Sequence, residues 1–464
     1  MNTRELALDV LLEAEKNQSL STNLVKDVLE KYDYEDPRDK AFFKRLTEGV
    51  MERQITLDYV LGCFSKTPVK KMKPLIRCLM RIGVYQILYM EGVPDSAACN
   101  EAVKLAKKRG FSTLSGFVNG VLRSVAKNRE SIVWPDEKKE PAVFLSVRYS
   151  VPVWLVEKWI ADYGYKRTLG MLEESVKVRP LTLHFKQSLG EKAIADAVKA
   201  IADTKVRIMQ HKVLPYAYVA EGADGVGSLP GYEEGLFWVQ DVSSMLAVEA
   251  AGIRPGMKVL DICAAPGGKS MSAADKLNCY ENAEETDKNR RPDSKLISCD
   301  VSEAKIYRIE ENLQRTGFDR TECRVQDARE FVPEMEGWAD VVLADVPCSG
   351  LGVIGRKKEI RYRTTQEGLE KLVQLQKEIL DTAWRYVKPG GVLLYSTCTV
   401  NPDENEKMAA YIMERYPFEA ESLDAYLPVC LHDEQTKKGF CQLFLGEYDT
   451  DGFFMARLRR KNGH

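Results

Sequence analysis

The chain has 464 residues, 44% hydrophobic and 29% charged, with a formal net charge of −2. That length supports two or three domains with substantial cores, and the near-neutral balance leaves any affinity for nucleic acid to local patches. The opening MNTRELALDVLLEAEK is charged within five residues and no run of about 18 apolar residues occurs, so the sequence predicts a cytoplasmic protein without signal peptide or membrane span. Eleven cysteines without CxxC spacing and only four histidines argue against a disulfide framework and against a zinc site. Most of the thiols, Cys63, Cys78, Cys99 and Cys299 among them, read as buried small hydrophobes.

Residues 1–130 read as helical throughout. Leu6, Val10, Leu11 and Ala14 share one helical face, and further helices are predicted over 40–53, 75–90, 96–108 and 114–127. Two basic stretches stand out: Lys66, Lys70, Lys71, Lys73, Arg77 and Arg81, then Lys104, Lys107, Lys108 and Arg109. Each suits a phosphate-backbone footprint and equally a solvated helix face. A proline-flanked charged linker, 131–144, leads into an amphipathic helix over 145–163 carrying Trp154 and Trp159. Strands over 181–186, 206–209 and 216–220, with a helix over 191–202, complete a small α+β unit to residue 234, of a kind that clamps nucleic acid.

From Gly235 to the end the pattern becomes strand–helix alternation. Strands are predicted over 258–262, 295–299, 339–344 and 391–396, with helices over 301–316 and 365–387. This is the signature of an α/β, doubly wound parallel sheet, whose ligands bind at the carboxyl ends of the strands. The residues with chemical potential fall at those ends. The first strand runs into Asp261-Ile262-Cys263-Ala264-Ala265-Pro266-Gly267-Gly268-Lys269-Ser270, small residues ahead of a helix N-terminus, without the spacing of a phosphate-binding P-loop. The second strand ends in Asp300, placed to accept ribose hydroxyls after a polar insertion over 278–294 that reads as a mobile loop. Asp327 stands where an adenine amino group could be capped. Asp345-Val346-Pro347-Cys348-Ser349-Gly350 and Tyr395-Ser396-Thr397-Cys398-Thr399 then set a cysteine after each of two further strands. Loop thiols at the functional edge of a sheet suit chemistry better than packing.

Together, DICAAPGGKS, DVPCSGLGVIGR, YSTCTVNPDENE and the closing Asp451-Gly452-Phe453-Phe454 resemble the RNA 5-methylcytosine methyltransferase family. Leu57-Asp58-Tyr59-Val60-Leu61, Arg81-Ile82-Gly83-Val84-Tyr85-Gln86 and Phe117-Val118-Asn119-Gly120-Val121-Leu122-Arg123 resemble the NusB-type helical domain of its bacterial Sun or Fmu subgroup. The resemblance covers nearly the whole chain. It implies a Rossmann-like class I methyltransferase domain over 235–464, an all-α NusB-like domain over 1–130 and an RRM-like α+β subdomain over 145–234. It further implies S-adenosylmethionine as cofactor, small-subunit ribosomal RNA as partner, a monomer, and neither metal nor membrane.

By the same resemblance Cys398 adds to carbon 6 of cytosine, making carbon 5 nucleophilic enough to take a methyl group. Cys348 assists the later elimination, and Asp345 bonds the N3/N4 edge of the base. Cys263, Ala264, Ala265, Pro266, Gly267, Gly268, Lys269, Asp300, Asp327 and Asp345 hold the cofactor, and Lys269 also favours the Cys398 thiolate. The sequence departs from the family at His184-Phe185-Lys186, where an Arg-x-Asn is usual, and at Ser294, where a Gly is usual. Two other readings stand beside this one: the same chemistry on tRNA, and a catalytically silent RNA-binding assembly factor.

Overall fold

The computed structural model describes residues 2–16, 25, 28–29, 36–223, 225–279 and 293–462. They form two compact units, Met1–Val176 with Ile354–Thr364, and Lys177–Val353 with Thr365–His464. The insertion predicted over 278–294 lies, for 280–292, outside the described residues. Among the described residues no helix is long and apolar enough to cross a membrane.

The first unit is helical. Among the described residues its longer helices are Thr3–Lys16, Pro37–Glu52, Gln54–Phe64, Pro74–Tyr89, Asp95–Lys108, Ser115–Asn128, Pro141–Tyr149 and Val153–Ser175, with a short one over Ile360–Arg363. Pro74–Tyr89 is central, burying Ile76, Leu79, Met80, Ile82 and Val84 around its circumference. Gly83 admits the neighbouring helix, since a Cβ there would lie 2.6 Å from Leu122 Cδ1. The helix Gln54–Phe64 was hidden by its weak amphipathicity; it starts directly after Arg53, where the preceding helix ends.

Three expectations are corrected here. The helix predicted over 145–163 is two helices, because Ser150 takes a left-handed conformation (φ 56°) and Pro152 disfavours helix at Val151. The Ser150 hydroxyl accepts the N–H of Ile55 at 2.9 Å, so the break caps another helix. Cys63, expected to be buried, is exposed near the end of its helix. The basic stretches are partly internal: Arg77 pairs with Glu15, Arg81 grips Asp58 through two bonds of 2.7 Å, and Arg109 reaches Glu5 and Asp9. Lys66, Lys70, Lys71 and Lys73 remain exposed.

Residues 354–364 belong to this unit although they follow the Cys348 motif in sequence. Arg361 is fully buried and donates to the carbonyls of Tyr149, Ser175 and Ile354 at 3.0, 3.4 and 3.1 Å. Tyr362 bonds Ser150 at 2.8 Å and the Glu52 carbonyl at 2.5 Å, and Lys358 pairs with Glu52 at 2.7 Å.

The second unit holds two sheets. The smaller combines β1 (Leu181–Phe185), β2 (Arg207–Gln210), β3 (Ala217–Glu221) and β4 (Phe237–Val239) in the antiparallel order β2-β3-β1-β4. β4 lies past residue 234, so this sheet draws a strand from the stretch read as catalytic domain. His184, which replaces the family's usual Arg, is buried in β1, stacked on Trp238 with centroids 4.1 Å apart and bonded to Gln240 at 2.9 Å. Burial lowers it to about 3, so it is a neutral packing residue here.

The larger sheet contains β5 (Lys258–Asp261), β6 (Lys295–Asp300), β7 (Glu322–Val325), β8 (Ala339–Asp345), β9 (Val387–Thr397), β10 (Phe418–Ala420), β11 (Phe440–Leu443) and β12 (Phe453–Arg460). Its order is β10-β12-β9-β8-β5-β6-β7, with β11 also on β12. β7, β6, β5, β8 and β9 are parallel, and β12 is antiparallel to β9. The near-continuous apolar run of β8 is explained by burial on both faces: Val341 and Leu343 enter one core, Val342 and Ala344 the other. Ser294 bonds the Gly256 N–H at 2.7 Å through its hydroxyl, which gives that departure from Gly a structural use.

Candidate active site

The site follows from strand order. β5 is central and its outgoing loop, 262–267, passes to the helix Gly268–Asn278. Gly267 has φ 104°, a turn that a side chain would strain, and it opens the helix whose first N–H groups have no intrahelical acceptor. Asp300 at the end of β6 is buried, and its carboxylate accepts the Ala265 N–H at 3.0 Å and the Lys305 ammonium at 2.9 Å. Burial, then the charges of Asp261, Asp300 and Asp345, raise the Cys263 thiol well above its ordinary range, so it is a neutral lining residue. Asp327 carries a lowered pKa because Arg329 bonds it through side chain and backbone; its carboxylate faces that guanidinium at 2.6 Å.

On the other side of β5, β8 and β9 run in register, Asp345 beside Ser396. Their outgoing loops therefore meet, and Cys348 Sγ lies 3.3 Å from Cys398 Sγ with no disulfide joining them. The Cys398 sulfur opposite it, and then burial, hold Cys348 well above the ordinary thiol range. Asp345 accepts Lys269 Nζ at 2.6 Å and Ser396 Oγ at 2.8 Å. Burial opposes the Lys269 ammonium, but the Asp345 carboxylate, with Cys398 and Asp261 behind it, outweighs that and raises its pKa. Lys269 thus brings positive charge from the start of the helix after β5 to the side of Cys398. Asp261, beneath the loop, is bonded by Ser270 at 2.7 Å; burial, against that hydroxyl and reinforced by Asp345, pushes it up to about 7.

The structure therefore brings Cys398, Cys348, Asp345 and Lys269 together, and Asp300 with 263–268, while Asp327 is engaged by Arg329. Sequence reasoning missed Glu404, Ser349 and Gln376. Glu404 is fully buried behind the cysteine loops. Asn401-Pro402-Asp403-Glu404-Asn405 enters the sequence reading only as part of the motif YSTCTVNPDENE, and burial singles out Glu404 from the half-buried Asp403.

The 263–268 cradle, its helix N-terminus and the buried Asp300 carboxylate suit a nucleoside bearing an amino-acid carboxylate: N–H groups for the acid, a carboxylate for ribose hydroxyls. With the strand order above, they define a Rossmann-like methyltransferase that uses S-adenosylmethionine. Residues 252–459 match the family described as 16S rRNA methyltransferase RsmB/F, and residues 1–127 match the NusB family. The probable ribosomal RNA small subunit methyltransferase B of Bacillus subtilis (strain 168) is 32% identical, covering 99% of each chain. The ribosomal RNA small subunit methyltransferase B of Cronobacter sakazakii is 30% identical, also over 99% of each. The crystal structure of PH0851 shares the fold at a TM-score of 0.78 and 24% identity, covering 98% of this chain and 97% of its own. This chain belongs to the RsmB/F family and is an S-adenosylmethionine-dependent rRNA methyltransferase.

Proposed function

We propose that the protein methylates carbon 5 of a cytosine in small-subunit rRNA through a covalent adduct with Cys398, acting as a cytoplasmic monomer. The observation that carries this reading is the facing pair of thiols, 3.3 Å apart at the ends of adjacent strands, beside a lysine–aspartate ion pair. S-adenosylmethionine supplies a methyl group made electrophilic by its sulfonium. Residues 263–268 and Asp300 would hold it, with Asp327 and the Lys269–Asp345 pair completing the site.

Lys269 stabilises the Cys398 thiolate by its charge, and Asp345 orients the base at its N3/N4 edge. Cys398 sulfur bonds carbon 6 of cytosine, and the electron pair of the C5=C6 bond makes carbon 5 the nucleophile. After methylation, release breaks two bonds. The C5–H proton passes to Cys348 acting as thiolate, the C–H pair restores the double bond, and the C6–S pair returns to Cys398. Cys348 accepts that proton only after its own thiol proton has passed to water. The target base must leave its stack to reach this edge, which favours loop or partly unfolded RNA.

The test is adduct formation on small-subunit rRNA transcribed in vitro, resolved on denaturing gels. Cys398→Ala is expected to form no adduct and to lose turnover by about 10⁴-fold or more. Cys348→Ala is expected to accumulate the adduct; swapped outcomes would reverse the two roles. Methylation confined to tRNA would overturn the rRNA assignment.

A further inference from the structure

We propose that Glu404 is a positioning residue for the release step, fixing Cys348 against Cys398 by joining the two cysteine loops through one buried carboxylate; this rests on the roles given to the cysteines above. Four donors converge on that carboxylate. Ser349 N–H reaches Oε2 at 2.8 Å and Gln376 Nε2 reaches the same oxygen at 3.0 Å. Ser349 Oγ reaches Oε1 at 2.6 Å and Asn401 Nδ2 at 2.9 Å. Glu404 has no solvent exposure, so these bonds replace water entirely.

The arrangement has a direction. The Ser349 N–H belongs to the peptide that follows Cys348, so the bond to Oε2 sets the plane of that peptide and with it the Cys348 side-chain origin. Ser349 Oγ also lies 2.6 Å from Thr399 Oγ1, the residue after Cys398. Asn401 holds the other end of the carboxylate, on the Cys398 loop, while Gln376 also bonds the Pro347 carbonyl at 3.0 Å. The loop after β8 is thus tied to Glu404 by both groups of Ser349. The loop after β9 carries Glu404 itself.

A carboxylate accepts at both oxygens. A glutamine would keep one acceptor and turn its NH₂ toward the other pair, where the Ser349 hydroxyl can turn to accept but the Asn401 amide, or the Ser349 N–H and the Gln376 amide, faces it as a donor. That leaves buried donors facing each other and lets the Ser349 peptide rotate. Cys398 has its own supports: the Gly352 N–H bonds its carbonyl at 3.1 Å, and its side chain packs against the sheet core. Loss of Glu404 therefore falls first on Cys348, the group that takes the C5 proton, and second on the attack by Cys398.

The experiment measures three quantities in the full-length enzyme with unmodified small-subunit rRNA: the single-turnover rate of adduct formation, the steady-state adduct fraction and the melting temperature. Glu404→Gln is expected to raise the adduct fraction and lower kcat by about tenfold, with adduct formation and KM for RNA changed about twofold or less. Ser349→Ala, which keeps the peptide N–H bond, is expected to shift the same way by less, and it carries the test if Glu404→Gln fails to fold. Glu404→Asp, which retains both acceptor oxygens, is expected to restore part of the release rate. Equal slowing of formation and release in both Glu404→Gln and Ser349→Ala would overturn the proposal in favour of a merely structural carboxylate. Cys348→Ala runs in parallel. If it accumulates adduct and neither other variant does, the positioning role fails alone; if it accumulates none, the reading of Cys348 fails and takes this proposal with it.

Discussion

The two halves of the sheet's carboxyl edge are built differently. On the β5–β6 side, the proposed cofactor cradle is mostly backbone: small residues in 263–268, a helix N-terminus and one buried acid, Asp300, bonded to the loop's own Ala265 N–H. On the β8–β9 side almost everything is side chain: two thiols, the Lys269–Asp345 pair, and Glu404 with its donors. The difference matches the demands of each half. A bound nucleoside needs shape and hydrogen bonds, which backbone supplies without titrating. Bond making and breaking need groups that change charge, and those require a buried scaffold to hold them apart or together.

Lys269 crosses between the halves, and breaking it tests the division hardest. Lys269→Met is expected to lower single-turnover adduct formation by about 10²–10³-fold while cofactor affinity, read by calorimetry, falls far less. An equal loss in both would mean that Lys269 belongs to the cradle. Gly352→Ala strikes the cysteine half alone. Its Cβ would lie 1.9 Å from the Gly452 carbonyl oxygen and 2.9 Å from that of Cys398, so backbone must shift. Turnover should drop by about tenfold to a hundredfold with cofactor affinity unchanged, because a displaced nucleophile loses its alignment.

The reciprocal change is Asp300→Ala. Removing the buried acid should weaken cofactor binding by about tenfold to thirtyfold, from lost charge-assisted hydrogen bonds, and leave adduct formation at saturating cofactor nearly intact. The smallest expected effect concerns Asp261 beneath both halves. Burial raises it from 3.8 to about 7, so the folded state keeps a proton that the unfolded chain releases. Its contribution to stability is full below the unfolded value and is lost as pH rises through the folded one. Asp261→Asn should flatten the fall in stability between about pH 4 and 7 by about 1–2 kcal/mol, measured by denaturant unfolding at each pH.

Much of this architecture is legible in the amino-acid sequence. The strand-end positions of Asp300, Asp345, Cys348 and Cys398 follow from apolar runs of strand length ended by polar residues, and local composition is enough to find such ends. The small-residue loop before a helix is likewise a local pattern. Glu404 is not legible there, because its burial depends on the helix Gln366–Ala383 supplying Gln376 across the loop. Nor is the placement of 354–364, where two of the buried contacts of Arg361 come from Tyr149 and Ser175, 212 and 186 positions earlier.

The sequence by itself determined the family motifs and the strand ends at which the candidate residues stand, since both are local properties of the chain. Tertiary structure alone decided which of them meet. Parallel pairing of β8 with β9 puts residues fifty positions apart within 3.3 Å, and long-range pairing is set by the packing of two cores. Tertiary packing likewise made His184 a neutral core residue, broke the helix at Ser150, and buried Glu404, one of several acids in a polar stretch, between the two cysteine loops.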